Sequence, residues 1–169
     1  MNKQIGFIVN PIAGMGGRVG LKGTDGVVKK AVKLGAKPVA PQKAEEMLRE
    51  FCAISTSPYD LHWITCGGDM GDNELEAVGI KNKQIIYSPA ENTTSADDTK
   101  SASKKLLECP IDLLVFCGGD GTTRDIYTIV DRKIPLLGIP AGVKMHSGVF
   151  GINTSATAKM LYEFINKRL

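Results

Sequence analysis

The segment Leu113-Leu114-Val115-Phe116-Cys117-Gly118-Gly119-Asp120-Gly121-Thr122-Thr123 constrains this chain more than any other: a five-residue apolar run opens abruptly into three glycines around an aspartate. An apolar run without polar alternation reads as a strand buried on both faces, and such strands belong to parallel sheets covered by helices on both sides. The glycines then mark the carboxyl end of the strand, where open α/β sheets bind their ligands. The same punctuation recurs at Gly14, Gly16 and Gly17, at Gly67, Gly68 and Gly71, and at Gly138 and Gly142. Composition agrees, since 19 glycines in 169 residues is about 11% against a usual 7% or so. Strands are expected at Ile5–Val9, Leu61–Cys66, Gln84–Tyr87, Asp112–Cys117 and Leu136–Ile139. Helical patterns separate them at about Asp25–Leu34, Pro41–Cys52, Asp72–Val78, Ala96–Leu107, Thr123–Asp131 and Ala156–Asn166. Strands alternating with helices predict an α/β fold, an open, mostly parallel Rossmann-like sheet with helices on both faces.

The length suits a single domain, residues 1–169, able to bury a core without disulfides. A net charge of +3, scattered with no block of like sign, gives no footprint for nucleic acid and no basic arm for a membrane surface. The longest apolar run is far too short for a membrane span or a signal-peptide core, so a soluble, cytoplasmic protein is expected. Cys52, Cys66, Cys109 and Cys117 stand 14, 43 and 8 apart, and with two histidines they form no zinc pattern. Reduced, mostly buried thiols are the expectation, and a catalytic thiol would need a basic neighbour that the sequence does not place.

In the Gly118–Thr123 loop, two glycines free the backbone to approach phosphate oxygens, and the helix that follows adds its positive end. The hydroxyls of Thr122 and Thr123 can donate to the same oxygens. Asp120 repels phosphate, so it either takes a proton from an attacking hydroxyl, sits near a phosphate-bound magnesium ion, or caps the helix. The first loop, Asn10-Pro11-Ile12-Ala13-Gly14-Met15-Gly16-Gly17-Arg18, fails both common phosphate motifs. Val19 stands where a dinucleotide fingerprint wants a small residue, and Leu21 where a P-loop ending in Lys22 wants glycine. It reads as a phosphate-covering loop or as a plain turn. Cys66-Gly67-Gly68-Asp69-Met70-Gly71 echoes Cys117-Gly118-Gly119-Asp120, a local solution used twice or a coincidence. Lys144, in a turn fixed by Pro140 and Gly142, either reaches back toward phosphate or is a solvated surface lysine. His62 and Trp63 are expected in the core, while His146 could reach a ligand.

Gly-Gly-Asp-Gly-Thr after an apolar strand, with a first strand running into Asn10-Pro11 and then Gly14, resembles the superfamily of NAD kinases, diacylglycerol-type lipid kinases and phosphofructokinases. Gly118 to Ile126, Gly138-Ile139-Pro140-Ala141-Gly142-Val143-Lys144-Met145 and Ser147-Gly148-Val149-Phe150 are similar to the ATP-NAD kinase-like branch that includes the acetoin-catabolism protein X proteins. Met70-Gly71 and Asp98-Thr99 fit the same branch. The resemblance implies phosphoryl transfer from ATP, or from inorganic polyphosphate, to an adenosine ribose hydroxyl of NAD, with Mg²⁺ carried by the nucleotide. It makes Asp120 the base or the magnesium organiser. Phosphate or nucleotide contacts fall to Asn10, Gly14, Gly118, Gly119, Gly121, Thr122, Thr123, Gly142 and Lys144, with Gly67, Gly68, Asp69, Met70 and Gly71 as a secondary loop. Small-molecule nucleotides are the expected partners, and a homo-oligomer is left open. The Asn-Glu motif and β-rich acceptor domain of a typical NAD kinase are not matched after the Gly-Gly-Asp-Gly-Thr strand. The chain is therefore expected to be the nucleotide domain of a two-domain protein, with little activity alone. A lipid or other small-alcohol kinase, and a non-catalytic nucleotide-binding regulatory module, are the alternatives.

Overall fold

Strand β1 (Gln4–Val9) is buried at every position from Ile5 to Val9, as a strand must be when it has neighbours on both edges and helices on both faces. A computed structural model describes residues 3–20, 27–91, 93–142 and 144–166. On one edge β1 pairs in parallel with β2 (His62–Cys66), Ile5 facing Trp63; on the other it pairs in parallel with β4 (Leu113–Gly118), Ile5 facing Leu113 and Val9 facing Cys117. Strands β3 (Lys83–Tyr87) and β5 (Leu136–Pro140) complete an all-parallel sheet in the order β3-β2-β1-β4-β5. The chain thus works outward from β1 through β2 to β3, then returns to the other side for β4. The reversal opens a crevice between the carboxyl ends of β1 and β4, where ligands of such sheets bind.

Helices fall on both faces because their apolar stripes match those of the sheet. One face carries α3 (Ala40–Ile54), α4 (Asp72–Ala77) and α7 (Thr154–Ile165), which bury Met47, Leu48, Phe51, Leu75 and Leu161 with Phe7 and Trp63 of the sheet. Phe7 and Phe51 both meet the Trp63 ring edge-on. The opposite face carries α5 (Ala96–Leu107) and α6 (Asp120–Val130), which bury Leu106, Ile126 and Val130 with Ile8, Ile64 and Phe116. A capping box of Ser95 and Asp98 starts α5 at the residue expected. The short α1 (Met15–Arg18) and α2 (Val28–Lys33) complete the set.

Sequence expectation and structure differ in three places. Helix α6 starts at Asp120 instead of Thr123, because the extended backbone of Gly119 serves as its N-cap. Residues 15–18 form a helical turn instead of the turn or covering loop expected, held by the buried side chain of Met15. His62 is half-buried at the start of β2 and bonds Asn82 Oδ1 at 3.2 Å, so it belongs to the rim of the core. The expected start of the second helix at Asp25, together with Lys22 and Val143, lies outside the described residues. Among the described residues the four cysteines are free thiols, and no helix is long and apolar enough to cross a membrane.

Candidate functional site

Three loops meet over the crevice, and hydrogen bonds between them fix its shape. Leaving β1, Asn10 takes its backbone N–H to the Cys117 carbonyl of β4, accepts the Ile12 N–H on its Oδ1 at 3.3 Å, and donates from Nδ2 to Thr122 Oγ1 at 3.0 Å. One side chain thus closes the Asn-Pro turn and ties it to the first turn of α6. Gly14 adopts φ +79, and a Cβ there would collide with the Ala141 carbonyl; only glycine lets the first loop lie against the one leaving β5. Ala141 in turn donates its N–H to the Gly118 carbonyl at 3.0 Å.

The loop between β4 and α6 carries the Gly-Gly-Asp-Gly-Thr sequence, and its two glycines do different things. A Cβ on Gly118 would strike the side chain of Thr122, which folds back beneath it. A Cβ on Gly119 would meet nothing within 4 Å, so the backbone there faces open space at the N-terminus of an eleven-residue helix. The two threonines are turned inward, with Thr122 Oγ1 accepting from Asn10 and, at 3.4 Å, from the Gly119 N–H, while the Thr123 hydroxyl donates to the Gly119 carbonyl at 3.2 Å. They fasten the turn instead of lining it, which leaves the backbone at Gly119 as the open position of the loop.

Asp120 holds the third loop. Its Oδ1 accepts the Ser147 hydroxyl at 2.6 Å, the Ser147 N–H at 2.9 Å and the His146 N–H at 3.2 Å, whereas Oδ2 accepts only the His146 N–H, at 2.9 Å. The Ser147 hydroxyl is the main reason its carboxyl titrates below the usual range. The carboxylate is thus ionised at neutral pH, with Oδ2 the oxygen that retains room for another donor. Lys144 and Gly142 lie exposed in the same loop, where Lys144 forms no ion pair among the described residues, and His146 is exposed beside them. Ser147 went unread as a site residue because its partner is 27 positions away and no local pattern marks the pair.

The secondary loop stands at the end of β2, on the other side of β1. Gly67, Met70 and Gly71 are buried and only Gly68 and Asp69 are exposed. Three residues after Gly71, Glu74 is buried on α4 with its Oε2 unpartnered among the described residues; burial pushes its carboxyl up to about 8. Cys66 and Cys117, at the carboxyl ends of β2 and β4, are buried, and burial raises both thiols, Cys66 to about 12, so neither is a nucleophile at neutral pH. Among the described residues no three His, Cys, Asp or Glu side chains form a metal-binding group.

Comparison with known proteins gives one family match: a family model described as the ATP-NAD kinase N-terminal domain covers residues 5–169. No curated protein matches the sequence. Among solved structures, the crystal structure of a UDP-N-acetylglucosamine 2-epimerase is similar over 98% of this chain at 13% identity, with a TM-score of 0.43, and the chain spans 40% of that protein.

Proposed function

The chain belongs to the ATP-NAD kinase N-terminal domain family, and on that premise we propose that it transfers the terminal phosphoryl group of ATP, or of inorganic polyphosphate, to an adenosine ribose hydroxyl of NAD, forming NADP. The observation that carries the reading is the pairing, at the crevice between β1 and β4, of an open backbone at Gly119 with an ionised Asp120 one residue later. The donor's phosphates lie against the Gly119 and Gly121 backbone at the start of α6, where N–H groups and the helix dipole favour negative charge. Asp120 Oδ2 accepts the proton of the attacking ribose hydroxyl as the new O–P bond forms and the bond to the leaving phosphate breaks. Lys144 extends from the exposed loop toward the transferred group and offsets its charge. Magnesium arrives with the nucleotide phosphates, near Asp120.

The bonds on Asp120 Oδ1 favour a second reading, in which the carboxylate is purely a fastener and the chain a nucleotide-binding regulatory module. A coupled assay of NADP formation, run on this chain with ATP and with polyphosphate beside equilibrium binding of ATP and NAD, separates them. Turnover abolished by Asp120→Ala supports the kinase. Because the kinase reading expects slow turnover from this chain, only nucleotide binding with no trace of Asp120-dependent turnover supports the module, and no binding of either nucleotide overturns both. A lipid or other small-alcohol kinase is tested in the same assay by replacing NAD with a diacylglycerol.

A further inference from the structure

The second Cys-Gly-Gly-Asp segment has no part in the chemistry above, yet the sheet order puts it beside the same crevice. Strand β2 adjoins β1 on one edge as β4 does on the other, so the two Gly-Gly-Asp loops stand two strand spacings apart, about 10 Å, with the end of β1 between them. We propose that Asp69, presented at the carboxyl end of β2, hydrogen-bonds the cis-diol of a nucleotide ribose whose phosphates lie at Gly119; the inference rests on the nucleotide reading of that loop.

The loop is built to present this one side chain. Met70 plugs it into the core beside Ile8 and Ile64, and Gly71, bridged to Cys66 and packed against Thr65 and Phe7 at φ +139, closes it from behind. Gly67 lies against Ser88, leaving Gly68 and Asp69 as the only exposed positions between Cys66 and Met70. Gly68 takes φ +62 with nothing within 4 Å of where a Cβ would be, so the approach to Asp69 is open on that side. Asn73 Nδ2 donates to Asp69 Oδ1 at 2.7 Å and fixes the plane of the carboxylate, while Oδ2 has no hydrogen-bond partner among the described residues. An anchored carboxylate with acceptor capacity suits two adjacent hydroxyls, each of which can donate one hydrogen bond. Phosphate is the wrong ligand for it, because like charges repel. The two loops thus divide a nucleotide between them, phosphates at the helix start and sugar at the aspartate.

The test is calorimetric binding to the whole chain of ATP and of NAD, each beside its adenosine-side 2′,3′-dideoxy analogue, in the parent, Asp69→Ala and Asp69→Asn. In the parent, the natural nucleotide binds about tenfold more tightly than its dideoxy analogue. Asp69→Ala abolishes that preference by weakening only the natural nucleotide; Asp69→Asn, which keeps an oxygen for Asn73, retains part of it. An effect on ATP alone assigns the donor's sugar to Asp69, whereas an effect on NAD alone overturns the inference, because the proposed transfer holds that ribose at Asp120. A parent that binds both sugars equally, or an Asp69→Ala protein weakened equally toward both, overturns the inference and leaves the phosphotransferase reading standing. A parent that binds no nucleotide overturns both.

Discussion

The chain uses Cys-Gly-Gly-Asp twice, at the ends of β2 and β4, and the two copies turn their aspartates to opposite purposes. Each cysteine is buried within one residue of its strand's end, Cys66 closing β2 and Cys117 preceding the last residue of β4, and each first glycine packs close to a neighbouring side chain, Gly67 on Ser88 and Gly118 on Thr122. Divergence begins at the residue after the aspartate. Met70 drives into the core, bends the chain through a 3-10 turn and leaves Asp69 in solvent. Gly121 offers no such anchor, so α6 begins at once and Asp120 reaches across to the amides of His146 and Ser147. Four identical residues therefore fix how a strand ends, and the next two decide what the carboxylate faces.

The sharpest break of this symmetry is at the aspartates. Asp120→Ala lowers turnover in the coupled NADP assay by about 10²- to 10⁴-fold as the base is lost, and hydrogen exchange of the His146 and Ser147 amides speeds up as their acceptor disappears. Asp120→Asn loosens the same loop, since its amide nitrogen cannot accept the N–H bonds now made to both oxygens. Exchange at those two amides left unchanged in both variants would remove Asp120 from its role as a fastener.

The helices that leave the two loops differ next. Where α6 opens with buried threonines that bond their own turn, α4 carries the buried Glu74. Its carboxyl rises from an ordinary 4.5 to about 8, so between those values the folded chain holds a proton that the unfolded chain releases. Stability from this group is complete below about pH 4.5 and is lost as pH climbs through about 8. At about 1.4 kcal/mol for each pH unit, the loss amounts to a few kcal/mol. Urea denaturation at pH 5 and pH 9 should show the parent weakening and Glu74→Gln far less affected; parallel losses in the two would mean that Glu74 is already ionised in the folded state.

Smaller contrasts lie within the Gly118–Thr123 loop and beside it. Gly118→Ala pushes a Cβ into Thr122 and costs about 1–3 kcal/mol in thermal unfolding, whereas Gly119→Ala leaves the melting temperature unchanged. Gly119→Val then weakens ATP binding without loss of stability, because the new side chain fills the open space at the helix start. A Gly119→Val protein that binds ATP as the parent does would take phosphate away from this loop. The smallest effect is at Lys144, where Lys144→Met weakens ATP binding by about 1 kcal/mol at low salt and flattens its salt dependence. Identical curves for the two proteins return Lys144 to the surface.

The frame was legible in the sequence because the three central runs, β2, β1 and β4, are buried by a parallel sheet, and each of the five strands starts and ends within one residue of its expected position. The α5 start was equally plain, since Ser95 and Asp98 write a capping box locally. The start of α6 was hidden because its N-cap is a glycine, which carries no capping side chain. Met-Gly-Gly-Arg likewise has little helical propensity, and only the burial of Met15 shows why it coils. At the site, the glycine clusters marked the right strand ends. The inward turn of Thr122 and the grip of Ser147 on Asp120 stayed invisible because both depend on partners far along the chain, with Asn10 standing 112 residues from Thr122.

The placement of β1 at the centre of the sheet also sets the order in which the chain can assemble. Phe7 lies opposite Thr65 on one side and Val115 on the other, so this strand, once made, waits for a partner 58 residues later and another 108 residues later. At roughly 5–20 residues per second, its second edge stays bare for about 5–20 seconds of synthesis. Closing such long loops is slow in any chain. The second edge of the central strand is thus the one left unpaired longest during synthesis, and the Asn10 to Thr122 bond that shapes the crevice forms only when translation has passed α6.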